Sequence, residues 1–306
     1  MPAPASIAAL SVGPEPRLTW NVVDDVRQVL EYPFMVNAFR AGAIVAVLAG
    51  LIGWFMVLRR QSFAGHTLAV VGFPGAAGAV LIGVSATYGL FAFAVAAALV
   101  IGLVPGSGGR GYSEESAVTG TLNAFALACG YLFVSLYGGF VGGANALLFG
   151  SFLGITQQQV LVLLVVAVTT LAALAAIGRP LLFATVDRDV ASARGVPVRG
   201  LSVAFLVLLA VAAAEVSQIT GTLLVFALLV VPAATAQAWT ARPVVGATLA
   251  VAVGLTVTWL SLFVAYFSPY PIGFFVTTIA FVVYLAAAGW RRVHRRSGRA
   301  LSGARA

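Results

Sequence analysis

Apolar runs long enough to cross a bilayer follow one another through nearly the whole of this 306-residue chain, and that succession constrains its fold more than any motif. A membrane-spanning helix needs about 20 mainly apolar residues to cross a roughly 30 Å hydrocarbon layer. Such runs lie near residues 36–58, 66–84, 88–104, 117–136, 158–178, 201–219, 221–240, 243–266 and 273–290. Only helices and closed barrels satisfy their backbone in lipid, and these runs are continuous rather than alternating, which excludes a barrel. The chain is 61% hydrophobic and 8% charged, against roughly 25% charged in soluble domains. The expectation is an all-α, multi-pass integral membrane protein of about nine transmembrane helices.

The arginines set an expected orientation, because cytoplasmic loops retain positive charge. With residues 1–33 as an extracytoplasmic segment, nine crossings put the tail inside. Fourteen of the 17 arginines then fall on the cytoplasmic side, and only Arg17, Arg27 and Arg40 lie outside. The membrane-embedded core is 34–290, followed by a basic cytoplasmic tail, 291–306. That tail can rest on the anionic lipid surface at about 1 kcal/mol per basic residue. The net charge of +8 is thus explained by the bilayer, and no nucleic-acid partner is needed. Acids Glu15, Asp24, Asp25 and Glu31 make the N-terminus unlike a cleavable signal. Cys129, the single cysteine, can form no internal disulfide.

The chain contains no lysine. It therefore holds no phosphate-binding loop of the G-x-x-x-x-G-K-S/T type, and the glycine-rich PGSGGRG at 105–111 reads as a flexible cytoplasmic loop. No zinc-finger spacing, nucleophile elbow or soluble catalytic domain is present, so the chain is not expected to be an enzyme or to bind a cofactor.

One charged island interrupts the apolar sequence, from Arg179 to Leu201, and carries Arg179, Asp187, Arg188, Asp189, Arg194 and Arg199. Thr185 or Asp187 can cap a helix there, and Asp187 and Asp189 put negative charge in its first turn. Arg194 falls in the last turn, Gly195 is a natural residue just past the end, and Pro197 blocks continuation. Val186, Val190 and Ala193 recur along one face. The expected product is a capped helix of two to three turns. It suits the membrane surface or a groove on a cytosolic partner, and the residues alone leave both open.

Several segments, in order, resemble the permease subunits of metal-type (ABC-3, zinc/manganese) ATP-binding-cassette importers. FMVNAFRAGAIVAVLAGLIGWFMVLRRQSFAGHTL (34–68) is similar to the family's first span with its "VLRR" exit, and LLFATVDRDVASARGVPV (181–198) to its coupling segment. QITGTLLVFALLVVPAATA (218–236) is similar to its "PAATA" span, and SPYPIGF (268–274) to a Pro-Gly turn near the end. The resemblance implies a permease homodimer, an ATP-binding subunit gripping each island, and an extracytoplasmic metal-binding protein delivering the cation. It assigns the coupling role to Val186, Asp187, Arg188, Asp189, Val190, Ala193, Arg194 and Gly195. A divalent metal, zinc or manganese, would be the cargo, and the partner subunit would use the ATP.

The resemblance breaks at the start of the second span. The family's Gly-Asp-x-x-Ser-His places a carboxylate and an imidazole four residues apart on one helix face, suited to a divalent cation. Here the sequence is GHTLAV, so His66 stands at the aspartate position, while Ala69 and Val70 replace the serine and histidine. His66 is either a helix-start histidine near the headgroups or a residue of the path. Gly75, Ala79 and Gly83 recur every fourth residue, a small face that permits close packing or lines the path. Glu215 is the one acid inside the expected spans, and intramembrane acids are costly enough to suggest function. Its position predicts a carboxylate about one turn from the outer end, within reach of water, able to attract a cation with Ser217, Gln218 and Thr220. Pro232 is expected to kink its span. The glycine-rich stretch 137–154 is expected to be a re-entrant or interfacial element. Two other readings stand beside metal import: an ABC permease for a non-metal substrate, and an ion-coupled secondary carrier using Glu215 and His66. The second would normally carry an inverted repeat, which the sequence does not show.

Overall fold

The computed structural model describes residues 18–103, 112–137, 150, 154–222 and 224–303. Within them the chain forms α1 (Val22–Leu30), α2 (Pro33–Leu58), α3 (Ser62–Leu81), α4 (Ala86–Leu103), α5 (Tyr112–Leu136) and α6 (Gln157–Val186). It continues with α7 (Arg188–Ala193), α8 (Val198–Thr220), α9 (Val225–Trp239), α10 (Pro243–Tyr266) and α11 (Ile272–Gly303). Eight of these helices are long and apolar enough to cross a membrane, and α9, with 15 residues, is shorter. Each expected span has its helix. The seventh is the exception in length: expected over 221–240, it becomes helical only at Val225, after Gly221 takes φ +76.

Local chemistry sets the ends. Pro33 and Pro243 open α2 and α10, where a missing N–H costs nothing. Thr156 and Gln159 form a reciprocal capping box at the start of α6. Three helices end in the same hydrogen-bonded turn. After α3 the N–H of Gly83 bonds to Val80 and that of Val84 to Ala79; after α7, Gly195 bonds to Ser192 and Val196 to Ala191. After α2, Arg60 bonds to Val57 and Gln61 to Met56. This turn needs one residue in the left-handed region. Gly83 and Gly195 supply it at φ +78 and +79, and Arg60 adopts it at φ +58 despite its side chain.

α2 is the axis of the bundle, packed against α3, α6, α8, α9 and α10. It buries Ala38, Ala41, Val45, Leu48, Ala49, Ile52 and Met56. Lipid supplies no hydrophobic drive between helices, so close backbone approach must do the work. A β-carbon on Gly53 would fall on the Leu229 carbonyl oxygen, and one on Gly75 would fall on the Gly89 carbonyl oxygen. The small face of α3 thus seats α4 within the same chain, with Ala79 against Gly89. Gly83 is not part of that face: it lies beyond the helix end, with open space around it. α5, α6 and α11 form the periphery and expose Tyr131, Val165, Val168, Phe281 and Leu285.

Two expected segments change shape. The N-terminal segment contains a helix the sequence reading did not anticipate, α1, capped by Asn21 and packed on α2 and α10 through buried Val29. The last span does not stop at residue 290, because the α11 backbone stays helical through the basic tail to Gly303. The loop at 105–111 and nearly all of 137–154 lie outside the described residues.

Candidate coupling surface and translocation path

The charged island divides differently from its sequence. α6 continues two turns past the expected boundary, carrying Arg179, Pro180 and Val186 as helix, so the free-standing helix α7 is only six residues, Arg188–Ala193. It is shorter than the two to three turns expected, because Asp187 rather than Thr185 is the cap. The Asp187 backbone is extended, at φ −142 and ψ 98, and its Oδ1 accepts from the Val190 N–H at 3.0 Å. Ser192 Oγ donates to the Asp189 carbonyl at 2.9 Å, and Gly195 closes the other end. Ala191 is the buried anchor. Val186, Val190 and Ala193 are exposed, as are Asp187, Arg188, Asp189, Arg194 and Gly195. Val190 and Ala193 on α7, with Val186 at the end of α6, are apolar side chains left uncovered, and another surface can cover them.

Arg199, the last arginine of the island, is committed within the chain: its Nη2 donates to the Leu103 carbonyl at the end of α4, at 2.9 Å. Arg59 is committed to at least three side chains. Its Nε donates to Gln61 Oε1 at 3.1 Å, Nη1 to Thr185 Oγ1 at 3.0 Å and Nη2 to Ser202 Oγ at 2.8 Å. Its guanidinium also lies over the Phe205 ring, 5.3 Å from the centroid. Thr185 is free to accept because its own hydroxyl proton goes to Leu181 O at 2.6 Å.

The interior contrasts with this end. Glu215 is 0% exposed, and neither carboxylate oxygen has a hydrogen-bond partner among the described residues. The expectation that it reaches water at the outer end is therefore wrong, because the flank of α8 that carries it is covered by packed helices. Gln218 Nε2 and Thr67 Oγ1 are likewise buried without partners. Ser217 and Thr220 spend their hydroxyl protons on their own helix, on Ala213 O at 2.8 Å and Val216 O at 3.0 Å. That leaves oxygen lone pairs, the donors hard cations take. His66 is half-buried in the second turn of α3, its ring edge-on to Phe226 with centroids 5.4 Å apart. Pro232 sits inside α9 near Gly254 of α10. Among the described residues no three His, Cys, Asp or Glu side chains cluster to hold a metal. Thr67, Asn123, Thr235 and Thr258, each with a buried unpartnered atom, were not singled out by sequence; polar residues inside apolar runs were the available signal.

A sequence model of the ABC 3 transport family matches residues 31–290. The chain is 32% identical to the manganese transport system membrane protein MntC of Halalkalibacterium halodurans, over 70% of this chain and 73% of that one. It is 28% identical to the chelated iron transport system membrane protein YfeC of Yersinia pestis, over 85% and 87%. Its fold is similar to a chain of PsaBC from Streptococcus pneumoniae in complex with Fab, with a TM-score of 0.77 at 24% identity, covering 87% of this chain and 95% of that one. The chain belongs to the ABC-3 transport family, as the multi-pass membrane permease of a metal importer and not as an enzyme.

Proposed function

We propose that the chain is the permease subunit of a manganese importer driven by a separate ATP-binding subunit. The observation that carries the reading is α7: a short helix capped at both ends, with Val190 and Ala193 uncovered on it and Val186 uncovered at the end of α6, in a chain that lacks any lysine for a phosphate-binding loop. The ATP-binding subunit docks on those side chains, once per permease copy in a homodimer, with α7 and the end of α11 cytoplasmic and α1 outside. An extracytoplasmic binding protein delivers the metal to the outer mouth. Manganese is preferred over zinc because the interior polar groups are oxygen donors, Glu215, Ser217 and Thr220, with His66 as the single imidazole candidate and no thiolate pair. Carboxylate and hydroxyl ligands suit manganese, whereas zinc sites favour sulfur and multiple imidazoles. The relatives named for manganese support the same choice.

The test is uptake by proteoliposomes holding the permease, its ATP-binding subunit and its binding protein. ATP-dependent accumulation of manganese above zinc and iron is expected. Equal accumulation without ATP would refute the reading, and a clear preference for zinc would refute its cargo.

A further inference from the structure

We propose that Arg59 is the positioning residue that carries motion of the α7 segment into α2 and α3, and so converts docking at the surface into movement of the helices lining the path. The inference rests on the proposed docking of an ATP-binding subunit at α7. Its basis is where the acceptors of Arg59 come from. Thr185 is in the last turn of α6, two residues before the Asp187 cap; Ser202 is in the first turns of α8, five residues after Pro197. Arg59 therefore grips both helices that flank α7, on either side of it. Its third acceptor, buried Gln61, lies in the turn that leads directly into α3.

That turn is built to move as a unit. Only Arg59, Arg60 and Gln61 separate α2 from α3, and all three backbone N–H groups bond back into α2. The Gln61 carbonyl then accepts from the Gly65 N–H at 3.0 Å, next to His66. A displacement of Thr185 and Ser202 must be followed by the guanidinium, and through it by the first turn of α3. A lysine could not do the same, because an ammonium lacks the planar fork that reaches three directions at fixed angles and stacks on Phe205. These three acceptors, Gln61, Thr185 and Ser202, are neutral side chains, so the direction of each donor sets how the fork meets them.

The experiment uses the full transporter in proteoliposomes and measures manganese uptake per ATP hydrolysed, together with co-purification of the ATP-binding subunit and thermal melting. Arg59→Gln, Arg59→Lys and the double variant Thr185→Val/Ser202→Ala are compared with Ala193→Arg. Arg59→Gln is expected to keep the ATP-binding subunit and its ATP hydrolysis within about twofold, while uptake per ATP falls about tenfold or more; Arg59→Lys should recover only part. The double variant, which keeps the arginine and removes two acceptors, should reproduce the loss even if Arg59→Gln does not fold. Unchanged uptake per ATP in the double variant overturns the proposal. So does a loss in all variants that follows melting temperature alone. Undiminished association in Ala193→Arg would instead overturn the docking reading, leaving the two failures distinguishable.

Discussion

The basic end of the bundle and its interior treat polar groups in opposite ways. At the basic end Arg59 donates to three side chains from three segments, Asp187 caps α7, and Arg199 satisfies the end of α4. In the interior Glu215, Gln218 and Thr67 carry buried polar atoms that find no hydrogen-bond partner among the described residues. Hydrogen bonds at the first place specify shape: Asp187 fixes the start of α7, and Arg59 and Arg199 fix helix ends against one another. An unpartnered carboxylate at the second destabilises the fold, because burying a polar group without a partner costs about 1–3 kcal/mol. A chain that keeps such a group retains it for something other than stability. On the proposed function, that something is a passing cation.

Both regions depend most severely on the backbone contacts between helices. Gly53→Val drives a side chain into the Leu229 carbonyl, where no rotamer change relieves the clash. Overpacking of this kind costs about 1–3 kcal/mol or more, and loss of monodisperse protein on size-exclusion chromatography is expected. Next comes the interior itself. Glu215→Leu should raise the melting temperature, through about 1–3 kcal/mol of relieved burial, while lowering manganese uptake at least about tenfold. Opposite signs in the two readouts would mark Glu215 as functional. Higher stability with normal uptake would make it a tolerated defect and dissolve the contrast between the regions.

At the basic end smaller effects are expected. Asp187→Ala removes the side-chain acceptor of the Val190 N–H and should cost about 1 kcal/mol, read as a lower midpoint of unfolding. Gly195→Ala meets no steric obstacle, so its cost of about 1 kcal/mol comes only from the left-handed backbone. The smallest effect has the opposite sign. Arg60 holds the same turn position at φ +58 without glycine's freedom, so Arg60→Gly should stabilise by about 0.5–1 kcal/mol. A loss of stability there would show that the Arg60 side chain contributes more than its backbone strain removes.

The membrane class and the placement of the helices were legible because each crossing needs a long apolar run, and Asp187, Gly195 and Pro197 mark the ends of α7 in the local sequence. What was not legible depends on residues far apart in the chain. Arg59 meets Thr185 and Ser202 across 126 and 143 residues, and no local pattern records such a meeting. Glu215 was placed by its distance from a span end, which gives depth but not which helices cover that side. The every-fourth small face of α3 was visible. That it would be taken by Gly89 of α4, rather than left for a second copy, depended on a tertiary contact. Val186 looked like part of the short helix because its spacing to Val190 is helical, yet α6 had not ended when the chain reached it.

The most direct test of the account is the affinity between the detergent-solubilised permease and its ATP-binding subunit, measured for the natural chain and for Ala193→Arg. Ala193 is exposed on α7, so the substitution is directed at the docking surface and not at the core. The account predicts association at least about tenfold weaker at an unchanged melting temperature. Association at full strength would contradict it, because the ATP-binding subunit would then be gripping some other part of the chain.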